Sequence, residues 1–206
     1  MALVKYNNNS ISAVSSLASL PSGALVPIKT LTASSSSTLS FVHGSSDVVL
    51  DSTYPIYVFK FINVHPANDQ VDFQVNFRDG GSSYDATKTT TMFKAYADEG
   101  DSDTSLGYDT NRDLAQATGV QPLVFSVGNG NDESASGELW LYNPSSTTFV
   151  KHFMARTNFL YFQNYSIDTF VSGYCNVTAA IDGVQFSMSS GNIDAGTFKL
   201  YGIKDS

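Results

Sequence analysis

The chain lacks several features that would assign a function at once. It is 206 residues long and has a single cysteine, Cys175, so no intrachain disulfide can form. A chain of this length buries about 70% of its unfolded surface, so a hydrophobic core can stabilise it without a disulfide or a metal. No apolar run approaches the roughly 20 residues of a membrane-spanning helix, and the first residues lack the apolar segment of a secretory signal. We therefore expect a chain made and folded in a cytoplasm, with no insertion into a membrane.

Charge is scarce and mainly negative. Charged residues make up 15% of the chain, and the formal net charge is −8. Binding to nucleic acid requires Lys and Arg to replace the counterions of phosphates, and the sequence has no basic stripe. The composition therefore argues against a nucleic-acid partner.

Residue patterns of known catalytic and cofactor sites are also missing. The three histidines, His43, His65 and His152, share no metal-ligand spacing. There is no G-x-S-x-G nucleophile elbow, no Walker loop and no G-x-G-x-x-G. Cys175 lies in an apolar segment, where a small core side chain is expected. We therefore predict no enzyme activity, no resident metal and no cofactor.

One segment is rich in carboxylates, DEGDSDTSLGYDTNRD at residues 98–113. Carboxylates this close could hold Ca²⁺ through their oxygens. An EF-hand loop starting at Asp101 fails, because Leu106 stands where glycine is needed and Arg112 stands at the last ligand position. A solvated acidic loop is the plainer interpretation, and calcium binding stays open.

From about residue 24 onward, the pattern indicates β-strands. The segment VDFQVNF, residues 71–77, places its Val and Phe side chains on one face and its polar side chains on the other. The segment YPIYVFKFIN, residues 54–63, is apolar on both faces, which is typical of a central strand. Turn clusters such as RDGGSSYD and GNGNDESASG separate these runs. We predict an all-β fold, an antiparallel β-sandwich of jelly-roll type, over residues 24–206.

Residues 1–23 differ in composition and predict a short N-terminal arm. They are polar and rich in small residues, and Ile11, Val14 and Leu17 recur at helical spacing before Pro21. The arm is either a mobile tail or a segment that becomes ordered against a partner. In the second case it would serve as an anchoring segment or as an oligomer contact.

The segment SGNIDAGTFKLYGI, residues 190–203, predicts a turn followed by a strand. Gly191 and Gly196 can adopt the positive φ of a turn. The strand then returns with Phe198 and Leu200 facing inward. We expect this strand to be held in the sheet as part of the core.

The sequence has more aromatic residues than one core face can hold. In GELWLYN, residues 137–143, aromatic rings alternate with Leu139 and Leu141, so rings face outward if those leucines face inward. The stretch RTNFLYFQNY, residues 156–165, is dense in aromatic residues as well. Exposed rings on a β-sandwich stack on sugars or bury a subunit interface. The candidate glycan or subunit contacts are Trp140, Tyr142, Phe159, Tyr161, Phe162 and Tyr165.

Several stretches resemble a family of virion structural proteins from tailed bacteriophages of marine bacteria and cyanobacteria. The resemblance covers about residues 24–203, and NPSSTTFVKHF and SGNIDAGTFKLYGI are its most specific parts. It implies a fibre, capsid-decoration or adsorption component of the particle. It brings no catalytic residues that could be transferred to this chain.

Two functional hypotheses follow, with a third from another class. The first is a structural component displayed on the virion, whether on head, vertex or tail, that contacts other virion proteins and forms a homo-oligomer, with a trimer favoured. The second is a module that binds a carbohydrate or host receptor during adsorption. The third, a polysaccharide depolymerase, would use loop carboxylates such as Asp98, Asp101 or Glu133, and no pattern favours it.

Overall fold

The computed structural model describes residues 25–204, and its regular elements are all β-strands. The predicted arm, with Ile11, Val14 and Leu17, lies outside the described residues. No helix within residues 25–204 is long and apolar enough to cross a membrane. The strands are β1 (Leu25–Ser36), β2 (Thr38–Val42), β3 (Ile56–Pro66), β4 (Val71–Arg78), β5 (Lys88–Asp98), β6 (Thr104–Tyr108), β7 (Gln121–Val127), β8 (Ala135–Tyr142), β9 (Lys151–Tyr161), β10 (Tyr165–Cys175), β11 (Gly183–Met188) and β12 (Ile193–Ile203).

The strands pair antiparallel throughout. They form one continuous sheet with two parts, which we call the wide sheet and the narrow sheet. The wide sheet has the order β1-β12-β3-β8-β9-β10-β5-β6, and the narrow sheet has the order β7-β4-β11-β2. A single residue pair, Val127 with Tyr161, joins β7 to β9. The predicted all-β, antiparallel class is confirmed.

The two sheets face each other across a cluster of phenylalanines. Phe186 of the narrow sheet lies 5.0 Å from Phe61 and 5.5 Å from Phe198 of the wide sheet, measured between ring centroids. Rings at these separations and tilts gain edge-to-face attraction beyond simple burial. The alternation that predicted the strands is visible in β9, where buried and exposed residues alternate from Lys151 to Phe159.

The segment at residues 190–203 forms a core strand, as predicted, but not a hairpin. Phe198 and Leu200 are buried, and Gly191 and Gly196 have positive φ values of 70° and 140°. However, β12 pairs with β1 and β3, whereas β11 pairs with β2 and β4. The turn therefore carries the chain from the narrow sheet to the wide sheet. The alternation of apolar and polar residues along a strand shows which residues face inward. It does not show which other strands pair with that strand.

Four strands widen one edge of the wide sheet. The β5–β6 hairpin is inserted between β4 and β7 along the chain, and the β9–β10 hairpin between β8 and β11. We call β9, β10, β5 and β6 the extension. Its inner face is covered in part by β7, since the Thr169 hydroxyl donates to the Leu123 carbonyl at 2.7 Å.

Candidate functional site

The outer face of the wide sheet carries a group of exposed and half-buried apolar side chains, which we call the outer aromatic face. Leu139 and Leu141 are fully buried, so Trp140 and Tyr142 between them point outward. Neighbouring strands add side chains to the same surface. The outer aromatic face consists of Phe93, Trp140, Tyr142, Met154 and Phe170, around a shallow depression of about 430 Å³.

Cross-strand pairing fixes the geometry of this surface. Phe93 and Phe170 are directly paired, and their rings stack at 4.7 Å with an interplanar angle of 7°. The guanidinium of Arg156 lies 4.9 Å from the Phe170 ring and also donates hydrogen bonds from Nε and Nη2 to the carboxylate of Asp168. This carboxylate raises the pKa of Arg156. Met154 is 52% exposed and Phe93 is 41% exposed, so the surface is apolar and open in the single chain.

The apolar surface continues onto the edge strand β6. Tyr108 pairs with Phe93, and Leu106 pairs with Ala95, so all four side chains lie on the same face. Leu106 is 71% exposed, and every residue of β6 is exposed. An exposed edge strand of this kind can add a further strand or pack against another chain.

The two ends of the same face differ in charge. At one end Lys60 and Lys199 are cross-strand neighbours, with the Lys60 ammonium 3.4 Å from a Glu138 carboxylate oxygen. At the other end the β5–β6 turn carries exposed Glu99 and Asp101. Lys60 is thus paired with Glu138, so Lys199 leaves a basic excess at β12 and β3, while the β5–β6 turn at the far edge of the sheet is acidic.

Carboxylates of the acidic segment are tied into local structure. Asp98 accepts hydrogen bonds from the backbone N–H of Ser102 and of Asp103 and from the Ser102 hydroxyl, and these bonds lower its pKa. Asp109 is held by Lys94 and Arg112. Within residues 25–204, no group of three or more His, Cys, Asp or Glu side chains is placed to hold a metal ion.

A second candidate site, the tip pocket, lies where the β9–β10 and β5–β6 turns meet. It is a cavity of about 210 Å³. The Tyr165 ring lies 5.6 Å from the Tyr96 ring and 6.0 Å from the Tyr161 ring, both edge-to-face. Its lining includes Tyr96, Asp103, Phe125, Tyr161, Gln163 and Tyr165.

Polar contacts set the chemistry of this pocket. The Tyr165 hydroxyl donates to a carboxylate oxygen of Asp103 at 3.3 Å. Partial burial, followed by the charge of Asp103, raises the pKa of Tyr165. The side chains of Asp103 and Gln163 are exposed, so they can hydrogen-bond a ligand in the pocket.

The wall of the tip pocket formed by Phe125 is held by charged groups. Lys94 and Arg112 lie 4.4 and 4.2 Å from the centre of the Phe125 ring. Both donate to Asp109, at 3.1 and 2.8 Å. Burial works to raise the pKa of Asp109, but its bonds to the two cations and to the Asn111 N–H hold the pKa below its usual value. The single negative charge of Asp109 is therefore shared between the two cations.

The structure divides the six aromatic candidates among three places. Trp140 and Tyr142 belong to the outer aromatic face, and Tyr161 and Tyr165 line the tip pocket. Phe162 packs on Tyr161 with ring centroids 4.5 Å apart. Phe159 lies in the core.

Sequence reasoning missed the residues that complete both sites. Phe93, Met154 and Phe170 alternate with buried residues along β5, β9 and β10, and this alternation was a usable signal for facing outward. Tyr96 and Asp103 had no such signal, because their part in the tip pocket depends on the pairing of β5 with β10.

Comparison of the chain with models of protein families, with curated proteins and with solved structures found no match.

Proposed function

We propose that this protein is a structural component of a tailed-phage particle, displayed on the virion, and that its copies associate through the outer aromatic face. The role is one of assembly, without catalysis. The observation that carries the proposal is the continuous apolar surface from Trp140 to Leu106, which is open in the single chain. The resemblance of the sequence to phage virion proteins supplies the biological setting.

The strand order supports a jelly roll as the finer description of the fold. A jelly roll is an eight-stranded sandwich of two four-stranded sheets, built from two Greek keys. Leaving out the extension, the orders are β1-β12-β3-β8 and β2-β11-β4-β7. Strands one, eight, three and six of the remaining eight then form one sheet, and strands two, seven, four and five form the other. This order favours a jelly roll widened by two hairpins, an architecture common in viral capsid proteins.

Contact between subunits is the role that suits the outer aromatic face best. Large exposed apolar patches on soluble proteins mark interaction surfaces. Interfaces are enriched in Trp, Tyr, Phe, Met and Arg at their centres, which are the residue types around this depression, Arg156 included. The depression is shallow and wide, as a flat protein partner requires.

A second copy of the chain is the partner that the charges favour. The basic end of the face, at Lys60 and Lys199, is complementary to the acidic end of another copy, at Glu99 and Asp101. Contacts that exchange the two ends of the same face between two copies are isologous, as in a twofold dimer, whereas head-to-tail contacts close into a ring only if the rotation closes. We therefore propose a homo-oligomer that associates through this face, and the measured mass distinguishes the trimer expected from the sequence from a twofold dimer.

Light scattering on the purified chain tests this interface. The wild type should be oligomeric, and Phe93→Glu should dissociate it, because a charge would be buried without a partner. The control is Phe149→Glu, which changes a more exposed phenylalanine in the β8–β9 connection, outside the outer aromatic face, and should leave the oligomer intact. A monomeric wild type, or equal effects of both variants, would contradict the proposal.

Localisation on the particle needs a separate measurement. Mass spectrometry of purified phage particles should detect the chain in multiple copies, and a particle reconstruction should place it on the surface. Its absence from purified particles would refute the virion assignment, even if the chain forms an oligomer.

The adsorption hypothesis is a second candidate, and the tip pocket is the observation that favours it. The depolymerase hypothesis gains no such support. Asp98 closes the β5–β6 turn, and Glu133 accepts a hydrogen bond from the Gly130 N–H in its own turn. These two carboxylates act in turns, so we do not propose an enzyme.

A further inference from the structure

We propose that the tip pocket binds one uncharged sugar ring, such as a hexose at the end of a host surface glycan. This inference deepens the adsorption hypothesis by naming its site and ligand class. It does not depend on association through the outer aromatic face.

The shape of the tip pocket suits a single ring. Its volume of about 210 Å³ lies below the roughly 300–1,000 Å³ typical of sites for drug-sized ligands. Tyrosine rings form much of the lining, with Tyr165 set edge-to-face against both Tyr96 and Tyr161. An aromatic ring offers an apolar surface to the C–H face of a sugar, and its hydroxyl stays available for hydrogen bonds. The pocket therefore accommodates one ring and not an extended chain.

The polar groups of the pocket suit hydroxyl groups. A carboxylate has about four acceptor positions, and Tyr165 occupies one position on Asp103 at 3.3 Å. The other positions can accept hydrogen bonds from vicinal sugar hydroxyls. The exposed amide of Gln163 can both donate and accept. A site that hydrogen-bonds hydroxyl groups in this way distinguishes between epimers, because the wrong epimer leaves a polar group unpaired.

Local charge disfavours an acidic sugar. Asp98, Glu99, Asp101 and Asp103 lie together at the β5–β6 turn beside the pocket. Lys94 lines the pocket and shares the single negative charge of Asp109 with Arg112, so these three groups carry a net charge of +1. The four carboxylates of the turn outweigh this charge, so a uronic or sialic acid would meet net repulsion. Uncharged hexoses are therefore the expected ligands.

The tyrosines of the pocket face away from the outer aromatic face, while the β5–β6 turn beside the pocket takes part in the proposed subunit contact. Alternation along β5 places Tyr96 and Phe93 on opposite sides of the extension. Subunits that associate through Phe93 therefore leave Tyr96, Tyr161 and Tyr165 uncovered at the tip. One chain can carry both functions on two faces of the same strands.

Saturation-transfer NMR and calorimetry on the full chain test this site. The probes are D-glucose, D-galactose, D-mannose and N-acetyl-D-glucosamine, with D-glucuronate as the anionic comparison. At least one neutral sugar should bind in the millimolar range, and D-glucuronate should bind more weakly. Asp103→Asn should weaken binding by about tenfold, since it removes a charged hydrogen-bond acceptor. Tyr161→Ala should weaken it by a similar factor.

The controls separate this site from the outer aromatic face and from misfolding. Trp140→Ala should leave sugar binding unchanged. Asp103→Asn changes an exposed side chain without loss of volume, so it remains informative even if Tyr161→Ala fails to fold. The inference is overturned if no probe binds at millimolar concentration, if Asp103→Asn binds as the wild type does, or if Trp140→Ala abolishes binding. Light scattering on the same samples shows whether subunit association, and with it the proposed function, stands or fails separately.

Discussion

The interior beneath the extension is built differently from the phenylalanine cluster between the wide and narrow sheets. In the cluster, six phenylalanines from both sheets pack ring against ring, mostly edge-to-face or tilted, with Phe73 and Phe186 stacked. They are Phe41, Phe59, Phe61, Phe73, Phe186 and Phe198. Beneath the extension the buried residues include lysines, threonines and a glutamine. They are Lys88, Thr90, Gln121, Lys151, Thr157 and Thr169.

Hydrogen bonds to loop carbonyls hold the polar interior together. Lys88, Cys175 and Lys151 lie side by side on β5, β10 and β9. The Lys88 ammonium donates to the Gly119 carbonyl at 2.7 Å, and the Lys151 ammonium donates to the Val177 carbonyl at 2.8 Å. Each lysine therefore fixes a connecting loop against the sheet.

The difference assigns separate tasks to the two interiors. Apolar burial is strong but has little directionality, whereas a buried polar network is favourable only in one arrangement. The phenylalanine cluster stabilises the packing of the wide sheet against the narrow sheet. The polar interior fixes the extension, whose strands carry Phe93 and Met154 of the outer aromatic face and the tyrosines of the tip pocket. Both candidate sites therefore depend on hydrogen bonds for their geometry.

Substitution in the phenylalanine cluster should have the largest effect. The Phe186 ring lies within 6.4 Å of five other phenylalanine rings. Phe186→Ala should lower the free energy of unfolding by about 3–5 kcal/mol, because it leaves a cavity at the centre of the cluster. Urea denaturation measures this change. A loss below about 1 kcal/mol would show that the cluster contributes little to the free energy of unfolding.

The sequence predicted the phenylalanine cluster far better than the polar interior. Alternation in VDFQVNF and TFKLYGI identified Phe73 and Phe198 as inward-facing. It also placed Trp140 outward. Lys88 lies in a predicted strand, but its burial depends on carbonyls of a loop some thirty residues away along the chain. Hydrophobic periodicity contains no information about such a partner.

The same limit explains the mixed outcome for the aromatic candidates. Phe159 and Tyr161 both alternate on the inner face of β9, so the sequence could not tell the core residue from the pocket residue. The pocket exists because Tyr161 lies at the end of the hairpin, next to the β5–β6 turn, and that placement depends on tertiary pairing.

A pair of threonines tests whether hydrogen bonds hold the polar interior. Thr157 and Thr169 are directly paired and equally buried, at 1% exposure each. The Thr169 hydroxyl donates to the Leu123 carbonyl at 2.7 Å, whereas the Thr157 hydroxyl has no hydrogen-bond partner. Thr169→Val should therefore cost about 1–3 kcal/mol of unfolding free energy, and Thr157→Val should be neutral or stabilising.

Thermal and urea denaturation of the two threonine variants give the comparison directly, since the substitutions have the same size and the same neighbourhood. Equal losses would mean that packing volume, and not hydrogen bonding, determines stability beneath the extension. The contrast between the two interiors would then disappear.

The smallest expected effect is a pH dependence that only the polar interior can produce. Burial lowers the pKa of Lys88 from 10.5 to about 8. Between these values the unfolded chain holds more protons than the folded protein, so the free energy of unfolding rises with pH. From pH 8 to 9 the expected gain is about 1 kcal/mol. Above pH 9 the gain is opposed, because burial raises the pKa of Cys175 from 9.0 to about 12.

Lys88→Met isolates this contribution. Burial also lowers the pKa of Lys151, which adds a slope of the same sign, so the measured quantity is the difference between wild type and variant. Urea denaturation at pH 8 and pH 9 should show a steeper rise for the wild type. The slope is informative even if Lys88→Met lowers stability overall by leaving the Gly119 carbonyl unpaired. Identical slopes would mean that Lys88 stays protonated inside the fold, which would require a counter-charge that its contacts with carbonyls do not supply.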